Sequence, residues 1–192
     1  MIITGILLAG GRSKRMGEDK AFLRYRGRCL YTYPLEILEC FCSRILISSS
    51  SEKFKGEKYE IVEDIYKNAG PIGGILSCLK VSETPLNIVM SCDQPLVTRE
   101  FIYQLLAESE GAQISVGTQK GVIQPLPGVY AKSLIDKMNE MIVSDNYKMR
   151  HLIDKVSVKL LDSEEKGFDP ARIYRNINSP VDFTELKKDY GE

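Results

Sequence analysis

Short apolar runs, rich in β-branched residues, alternate along the chain with longer segments of helical periodicity. Near-continuous apolar runs such as Ile88-Val89-Met90 indicate strands buried on both faces. The alternation continues over roughly the first 120 residues and predicts an α/β fold. We expect a single-domain, mostly parallel, doubly wound (Rossmann-like) sheet with helices on both faces. The expected strands are residues 2–8, 44–48, 60–62, 86–91 and 113–116, and the expected helices are residues 31–41, 72–81 and 98–109.

The later part of the chain has a less regular pattern. Residues 121–131 hold Pro125, Pro127 and Gly128 among apolar residues, which indicates an edge strand or an irregular turn that faces the ligand. Ser179-Pro180 carries the N-cap and first-turn signals of a final helix. The other expected elements are a helix at 134–143, a short helix at 147–154, a strand at 156–161 and a loop at 162–169.

Length and composition narrow the class of protein. A chain of 192 residues is expected to bury about 70% of its unfolded surface, so we expect one domain over residues 1–192. The 26 basic and 26 acidic residues cancel, which argues against a general nucleic-acid binder. Five cysteines without a Cys-x-x-Cys pair, and one histidine, argue against a zinc site or a disulfide framework and favour reduced thiols in the cytoplasm. The apolar N-terminal run is too short to cross a membrane, so no membrane partner is expected.

The first predicted strand leads into a loop that combines glycines with basic side chains. From Gly10 to Lys20 there are three glycines and four cations. Glycines let backbone N–H groups approach a polyanion closely, and Arg15 and Lys20 would supply point charges to its phosphates. The spacing matches neither the P-loop nor the dinucleotide fingerprint. The alternative is a plain glycine turn followed by a solvated basic loop.

The sequence of this loop resembles that of the nucleotidyltransferases of the molybdenum cofactor family, and among them the guanylyltransferases. It reads Leu-Ala-Gly-Gly-Arg-Ser-Lys-Arg-Met-Gly-Glu-Asp-Lys. The resemblance spans nearly the whole chain, because further family landmarks recur in order at residues 62–64, 70–74, 91–96 and 176–182. It implies a nucleotidyltransferase that joins GMP from GTP to molybdopterin or Mo-molybdopterin and releases pyrophosphate with Mg²⁺. Molybdoenzyme apoproteins or other cofactor-biosynthesis proteins would be further partners.

The same resemblance implies roles for individual residues. Arg15 and Lys20 match the arginine and the phosphate-contacting lysine of the loop, and Asp93 matches the aspartate that holds the metal. Asn176 and Asn178 match an asparagine pair on the pterin side. The nucleotide contacts fall on Leu8, Ala9, Gly10, Gly11, Ser48 and Asp64. The nucleotide-binding part would cover about residues 1–110 and the acceptor-binding part about residues 111–192.

The chemistry fits these residue types. Phosphoryl transfer needs alignment, charge neutralisation and a metal, and Mg²⁺ prefers one or two carboxylates together with phosphate oxygens and water. Asp93 could instead cap the next helix, but Thr98 is the better N-cap, which leaves Asp93 to face the carboxyl edge of the sheet. Asp64 could equally cap a loop. Residues 70–74 could start a helix packed closely on the sheet, or present N–H groups to the nucleotide or pterin phosphate, or both.

Three positions depart from the family pattern and bear on base contacts and acceptor geometry. Ser48 stands where relatives have asparagine, Cys29 where they have proline, and Gln124 where they have histidine before a proline. The nearest rival is a cytidylyltransferase of the same fold, whose loop reads Leu-Ala-Ala-Gly, whereas Ala9-Gly10-Gly11 favours guanine. A sugar-phosphate nucleotidyltransferase is a further rival, but the longer loop motif of that class is missing from this sequence. A nucleotide-binding regulator without turnover would not need Arg15, Lys20 and Asp93.

Overall fold

The computed structural model of the protein describes residues 2–10 and 19–191. The strands are β1 (Thr4–Leu8), β2 (Arg24–Tyr25), β3 (Arg28–Cys29), β4 (Arg44–Ser48), β5 (Glu60–Val62), β6 (Leu86–Ser91), β7 (Ile114–Gln119), β8 (Val122–Ala131) and β9 (Val158–Asp162). The helices are α1 (Thr32–Phe41), α2 (Pro71–Val81), α3 (Arg99–Ala107), α4 (Ile135–Val143), α5 (Met149–Ile153), α6 (Pro170–Ile173) and α7 (Pro180–Tyr190). Strands β4, β5 and β6 have the bounds that the apolar pattern predicted.

Within the described chain, seven strands form one sheet in the order β5-β4-β1-β6-β8-β7-β9. Strands β5, β4, β1 and β6 run parallel to one another, and β9 runs parallel to β7. Strand β8 is antiparallel to both of its neighbours, β6 and β7. The predicted mostly parallel, doubly wound sheet is therefore confirmed.

Strand β1 shows why the sheet is covered on both faces. Leu7 packs into a cluster with apolar side chains of α1 and α3, whereas Ile6 and Leu8 point to the opposite face and pack with α2 and α4. Because successive side chains of a strand alternate between faces, a strand covered by helices on both sides must be apolar at nearly every position. The predicted helices on both faces are present.

The expectation for residues 121–131 was wrong in one respect, because β8 is an inner strand and not an edge strand. Its pairing with β7 passes from Val116↔Gly128 directly to Gly117↔Gln124, so the three residues 125–127 bulge out of the ladder. The prolines Pro125 and Pro127 lie in this bulge, where the regular hydrogen bonding is interrupted and their missing N–H groups cost little. The irregular part of the expectation is confirmed.

Two small elements escaped the sequence analysis. The β2–β3 hairpin is too short to show an alternating pattern. Helix α6 follows the loop expected at 162–169 and is capped by Asp169, whose Oδ1 accepts from Ala171 N at 3.0 Å. Asp169-Pro170 repeats the signal of Ser179-Pro180, so this helix could have been predicted by the same rule. None of the helices in residues 2–10 and 19–191 combines the length and apolar composition of a membrane span.

The last helix packs against the beginning of the chain. Leu186 of α7 is fully buried in a cluster with Tyr25 and Leu30 of the hairpin region, with Leu96 from the loop after β6 and with Ile177. This cluster brings both ends of the chain beside the loop that follows β6.

Leu186→Ala should lower the free energy of unfolding by about 2–5 kcal/mol, since it removes buried apolar atoms and leaves a cavity. Val181 lies on the same helix and is 64% exposed, so Val181→Ala should change stability by less than about 0.5 kcal/mol. Urea denaturation of both variants measures the difference. Equal effects would show that α7 is not docked through Leu186.

Candidate active site

The carboxyl ends of the parallel strands form the edge where the candidate site lies. Leu8, the last residue of β1, pairs with both Ser48 of β4 and Ser91 of β6. The hydrogen bonding continues one residue further, because Ala9 N donates to Ser48 O and Cys92 N donates to Leu8 O, both at 3.0 Å. Residues that follow these three strands therefore leave the sheet at the same level.

The chain passes from buried to exposed residues where it leaves β1. Leu8 and Ala9 are both buried. Gly10 is exposed, and a Cβ atom there would lie 3.5 Å from Ser48 O, an ordinary contact. Crowding within the described protein does not demand glycine at this position. Gly11 and Arg15, which the resemblance also implicates, lie outside the described residues.

Asp93 is the most enclosed carboxylate of this edge, at 6% exposed. Ser91 Oγ donates to its Oδ1 at 2.5 Å, and Lys20 Nζ forms an ion pair with its Oδ2. Thr98 caps α3, since its Oγ1 accepts from Phe101 N at 3.3 Å, as the sequence predicted. The N-cap of α3 is therefore Thr98 and not Asp93.

Lys20 is placed by a short 3-10 turn over Lys20–Phe22. Asp19 caps this turn by accepting from Ala21 N at 3.3 Å, and the carbonyl of buried Ala21 accepts from Tyr31 N at 3.1 Å. The ring of Phe22 lies 4.8 Å from that of Phe54, centroid to centroid. These contacts anchor the lysine backbone, so its long side chain reaches the carboxyl edge from a fixed origin.

The structure separates the two asparagines that the resemblance pairs. Asn178 Oδ1 lies 3.5 Å from Lys20 Nζ, beside Asp93. Asn176 lies instead in a surface groove between α6 and α7, with Arg175 and Asp189. Ile177 between them is fully buried. Of the expected pair, only Asn178 joins Lys20 and Asp93 among the contacts of the described residues.

Ser48 and Asp64 form a second polar pair on the same edge. Ser48 Oγ donates to Asp64 Oδ1 at 2.9 Å. Burial raises the pKa of the half-buried Asp64 carboxyl, and the hydrogen bond from Ser48 offsets part of that rise. A Cβ atom on Gly74 of α2 would lie 2.6 Å from Ser48 Oγ, so glycine here permits the close helix–sheet packing that residues 70–74 suggested.

Two polar residues of the site were missed by the sequence analysis. Ser91 orients Asp93, and its position two residues before the aspartate at a strand end was the available signal. Gln94 is buried, and its Nε2 donates to Leu126 O in the β8 bulge at 3.0 Å. Within the part of the chain that the structure describes, its Oε1 has no hydrogen-bond partner. The contact between Gln94 and Leu126 had no sequence signal, because it depends on β8 lying next to β6.

Cys92, next to Asp93, is a packing residue. Its side chain is buried in the core, and burial raises the pKa of its thiol to about 12, so the thiol stays protonated at neutral pH.

Gly74→Ala should lower the free energy of unfolding by about 1–3 kcal/mol, because the new methyl group displaces Ser48 and costs the Ser48–Asp64 hydrogen bond. Gly10→Ala is the matched control and should change stability by less than about 0.5 kcal/mol. Thermal and urea unfolding measure both. A Gly74→Ala variant as stable as the parent would contradict the packing described above.

Comparisons with known proteins identify the family. The family described as MobA-like NTP transferase domain matches residues 5–160. The chain is 32% identical over 188 residues to a "Probable molybdenum cofactor guanylyltransferase" of Bacillus subtilis, with 95% of this chain and 94% of that protein covered. A protein of the same name from Flavobacterium johnsoniae is 30% identical over 186 residues, with 96% of each chain covered.

A solved structure supports the fold. The crystal structure of molybdopterin-guanine dinucleotide biosynthesis protein A from Archaeoglobus fulgidus superposes with a TM-score of 0.81 at 23% identity, covering 96% of this chain and 97% of that one. Sequence and fold agree, and the chain belongs to the MobA-like NTP transferase domain family.

Proposed function

We propose that this protein is a molybdenum cofactor guanylyltransferase, which transfers GMP from GTP to molybdopterin or Mo-molybdopterin. The observation that carries the proposal is the meeting of Lys20, Asp93 and Asn178 at the carboxyl edge of the sheet. The names of the relatives from Bacillus subtilis and Flavobacterium johnsoniae support the choice of reaction.

The proposed reaction needs no strong base. The terminal phosphate oxygen of molybdopterin donates an electron pair to the α-phosphorus of GTP. The bond between that phosphorus and the α–β bridging oxygen breaks, and pyrophosphate leaves with the electron pair. Since the attacking oxygen is already anionic, the protein's work is to align the reactants and neutralise their charge.

Asp93 is proposed to hold a divalent metal, Mg²⁺. Among residues 2–10 and 19–191, no group of three His, Cys, Asp or Glu side chains could hold a metal ion by itself. A single carboxylate at this position fits Mg²⁺, which binds one or two carboxylates together with substrate phosphates and water. When bound, the metal would neutralise charge on the triphosphate. Lys20, which lies against Asp93, is proposed to contact phosphate oxygens there, and Arg15 is proposed to assist it.

The two substrates are proposed to take opposite sides of Asp93. The nucleotide would lie on the main chain of Leu8, Ala9, Gly10 and Gly11 and reach Ser48 and Asp64 beyond. The acceptor would lie towards Asn178, with Asn176 at most a distant contributor. We propose that about residues 1–110 bind the nucleotide and about residues 111–192 bind the acceptor. Lys20 and Asp93 belong to the nucleotide-binding part and lie where the two substrates would meet.

The proposal includes a cellular setting. All five cysteines are free thiols, which is compatible with the reducing cytoplasm. We propose that the protein works there and passes its product to molybdoenzyme apoproteins or other cofactor-biosynthesis proteins, and that it has no nucleic-acid or membrane partner.

Purified protein with molybdopterin, Mg²⁺ and GTP should form molybdopterin guanine dinucleotide and one equivalent of pyrophosphate, whereas CTP should give no dinucleotide. Asp93→Asn keeps the shape of the side chain but removes its charge, and should reduce turnover at least about 100-fold. Incorporation of CMP would instead identify a cytidylyltransferase. Binding of GTP without pyrophosphate release would identify a regulator.

Lys20→Ala should raise the Kd for GTP by about 10- to 100-fold, since it removes a cation from the phosphate site and leaves Asp93 facing the triphosphate. Isothermal titration without the acceptor measures this binding. Lys137→Ala is the control, because Lys137 pairs with Glu140 on the surface of α4 and should leave the Kd unchanged. Equal Kd values for both variants and the parent would remove Lys20 from the site.

A further inference from the structure

The segment that carries Asn178 is held at two consecutive backbone amides. Ile177 N donates to the main-chain oxygen of Asp93 at 2.9 Å, while its side chain is fully buried against Leu96 and Leu186. Asn178 N donates to Asp182 Oδ2, also at 2.9 Å. Asn178 itself is exposed at the site, so its direction depends on these two main-chain contacts.

Asp182 and Ser179 form hydrogen bonds that cap the start of α7. Asp182 N donates to Ser179 Oγ at 3.2 Å, while the Asp182 carboxylate accepts from the chain just before the helix. Reciprocal contacts of this kind resemble a capping box. The hydrogen bond from the Asn178 amide is the main cause that lowers the pKa of the Asp182 carboxyl. The two residues differ in one contact: the Asp182 carboxylate accepts from the amide of Asn178, whereas Ser179 Oγ accepts from Asp182 N within the cap.

We propose that Asp182 is a positioning residue, which fixes Asn178 so that its carboxamide faces Lys20 and Asp93 and binds the phosphate-bearing acceptor. This inference rests on the proposed function, with Asn178 on the acceptor side. That side follows from the sheet order. Ser48 ends β4 and Asp64 follows β5, which lie two and three strands away from β6, whereas Asn178 lies at the end of β6 itself.

The competing explanation is that Asp182 only stabilises α7. Both Asp182→Ala and Ser179→Ala remove one half of the cap, and each should lower Tm by about 2–4 °C, the shift expected in a domain of this size for the loss of one helix cap. Under the competing explanation the two variants would also have the same kinetics. The proposal expects them to differ.

The kinetic test compares KM values for molybdopterin and for GTP. Asp182→Ala should raise the KM for molybdopterin by about tenfold with an unchanged KM for GTP, because a misdirected carboxamide costs one polar contact. Ser179→Ala should leave both KM values as in the parent. Asp182→Glu, which keeps the accepting carboxylate, should restore the KM for molybdopterin.

Coupling between the two residues completes the test. Asn178→Ala should raise the KM for molybdopterin as Asp182→Ala does. The double variant should have the same KM as either single variant, because both substitutions remove the same contact between Asn178 and the acceptor. Additive effects, an equal rise in Ser179→Ala, or a rise confined to the KM for GTP would overturn the inference. A parent protein that transfers no GMP would refute the proposed function instead, so the two failures are distinguishable.

Discussion

The parallel alignment of β4, β1 and β6 is the constraint on which the candidate site depends. Leu8 pairs with Ser48 on one side and Ser91 on the other, so three strands end at one level and the chain leaves each of them in the same direction. Main-chain hydrogen bonds between the strands set this alignment, and apolar side chains pack on both of its faces. Because these hydrophobic layers supply much of the stability of the sheet, the polar residues of the edge are available for ligand binding.

One consequence of this arrangement is a buried carboxylate with a cation beside it. Removing the Asp93 carboxylate from water is costly unless hydrogen bonds and an opposite charge compensate. Ser91 supplies the hydrogen bond and Lys20 the charge. The groups that make the protein tolerate Asp93 are thus groups that phosphates and a metal would also engage. The same electrostatic requirement governs folding and the proposed chemistry, so a formal net charge of zero is compatible with the proposed anion site.

The sequence predicted what depends on local pattern. Strands β4, β5 and β6 and the cap at Thr98 follow from apolar periodicity and side-chain hydrogen-bonding capacity, both of which act over a few residues. The inner position of β8 could not be predicted in this way, because its prolines lie in a bulge where they take no part in the hydrogen bonding between strands. For the site, motif order pointed to Lys20, Asp93 and Asn178, but the separation of Asn176 from Asn178 depends on the burial of Ile177 against distant parts of the chain.

The site draws on both ends of the chain, and this has a consequence for how it forms. Lys20 comes before the hairpin, Asn178 comes directly before α7, and both reach Asp93 in the middle of the sequence. The hairpin and α7 are joined through Tyr25, Leu30 and Leu186, and the carbonyl of Tyr190 also accepts from Arg26. The family match ends at residue 160, so the segment that carries Asn178 lies beyond it. Since Ile177 packs in the same cluster as Leu186 and its amide donates to the main-chain oxygen of Asp93, the acceptor side of the proposed site depends on the packing of α7 against the hairpin.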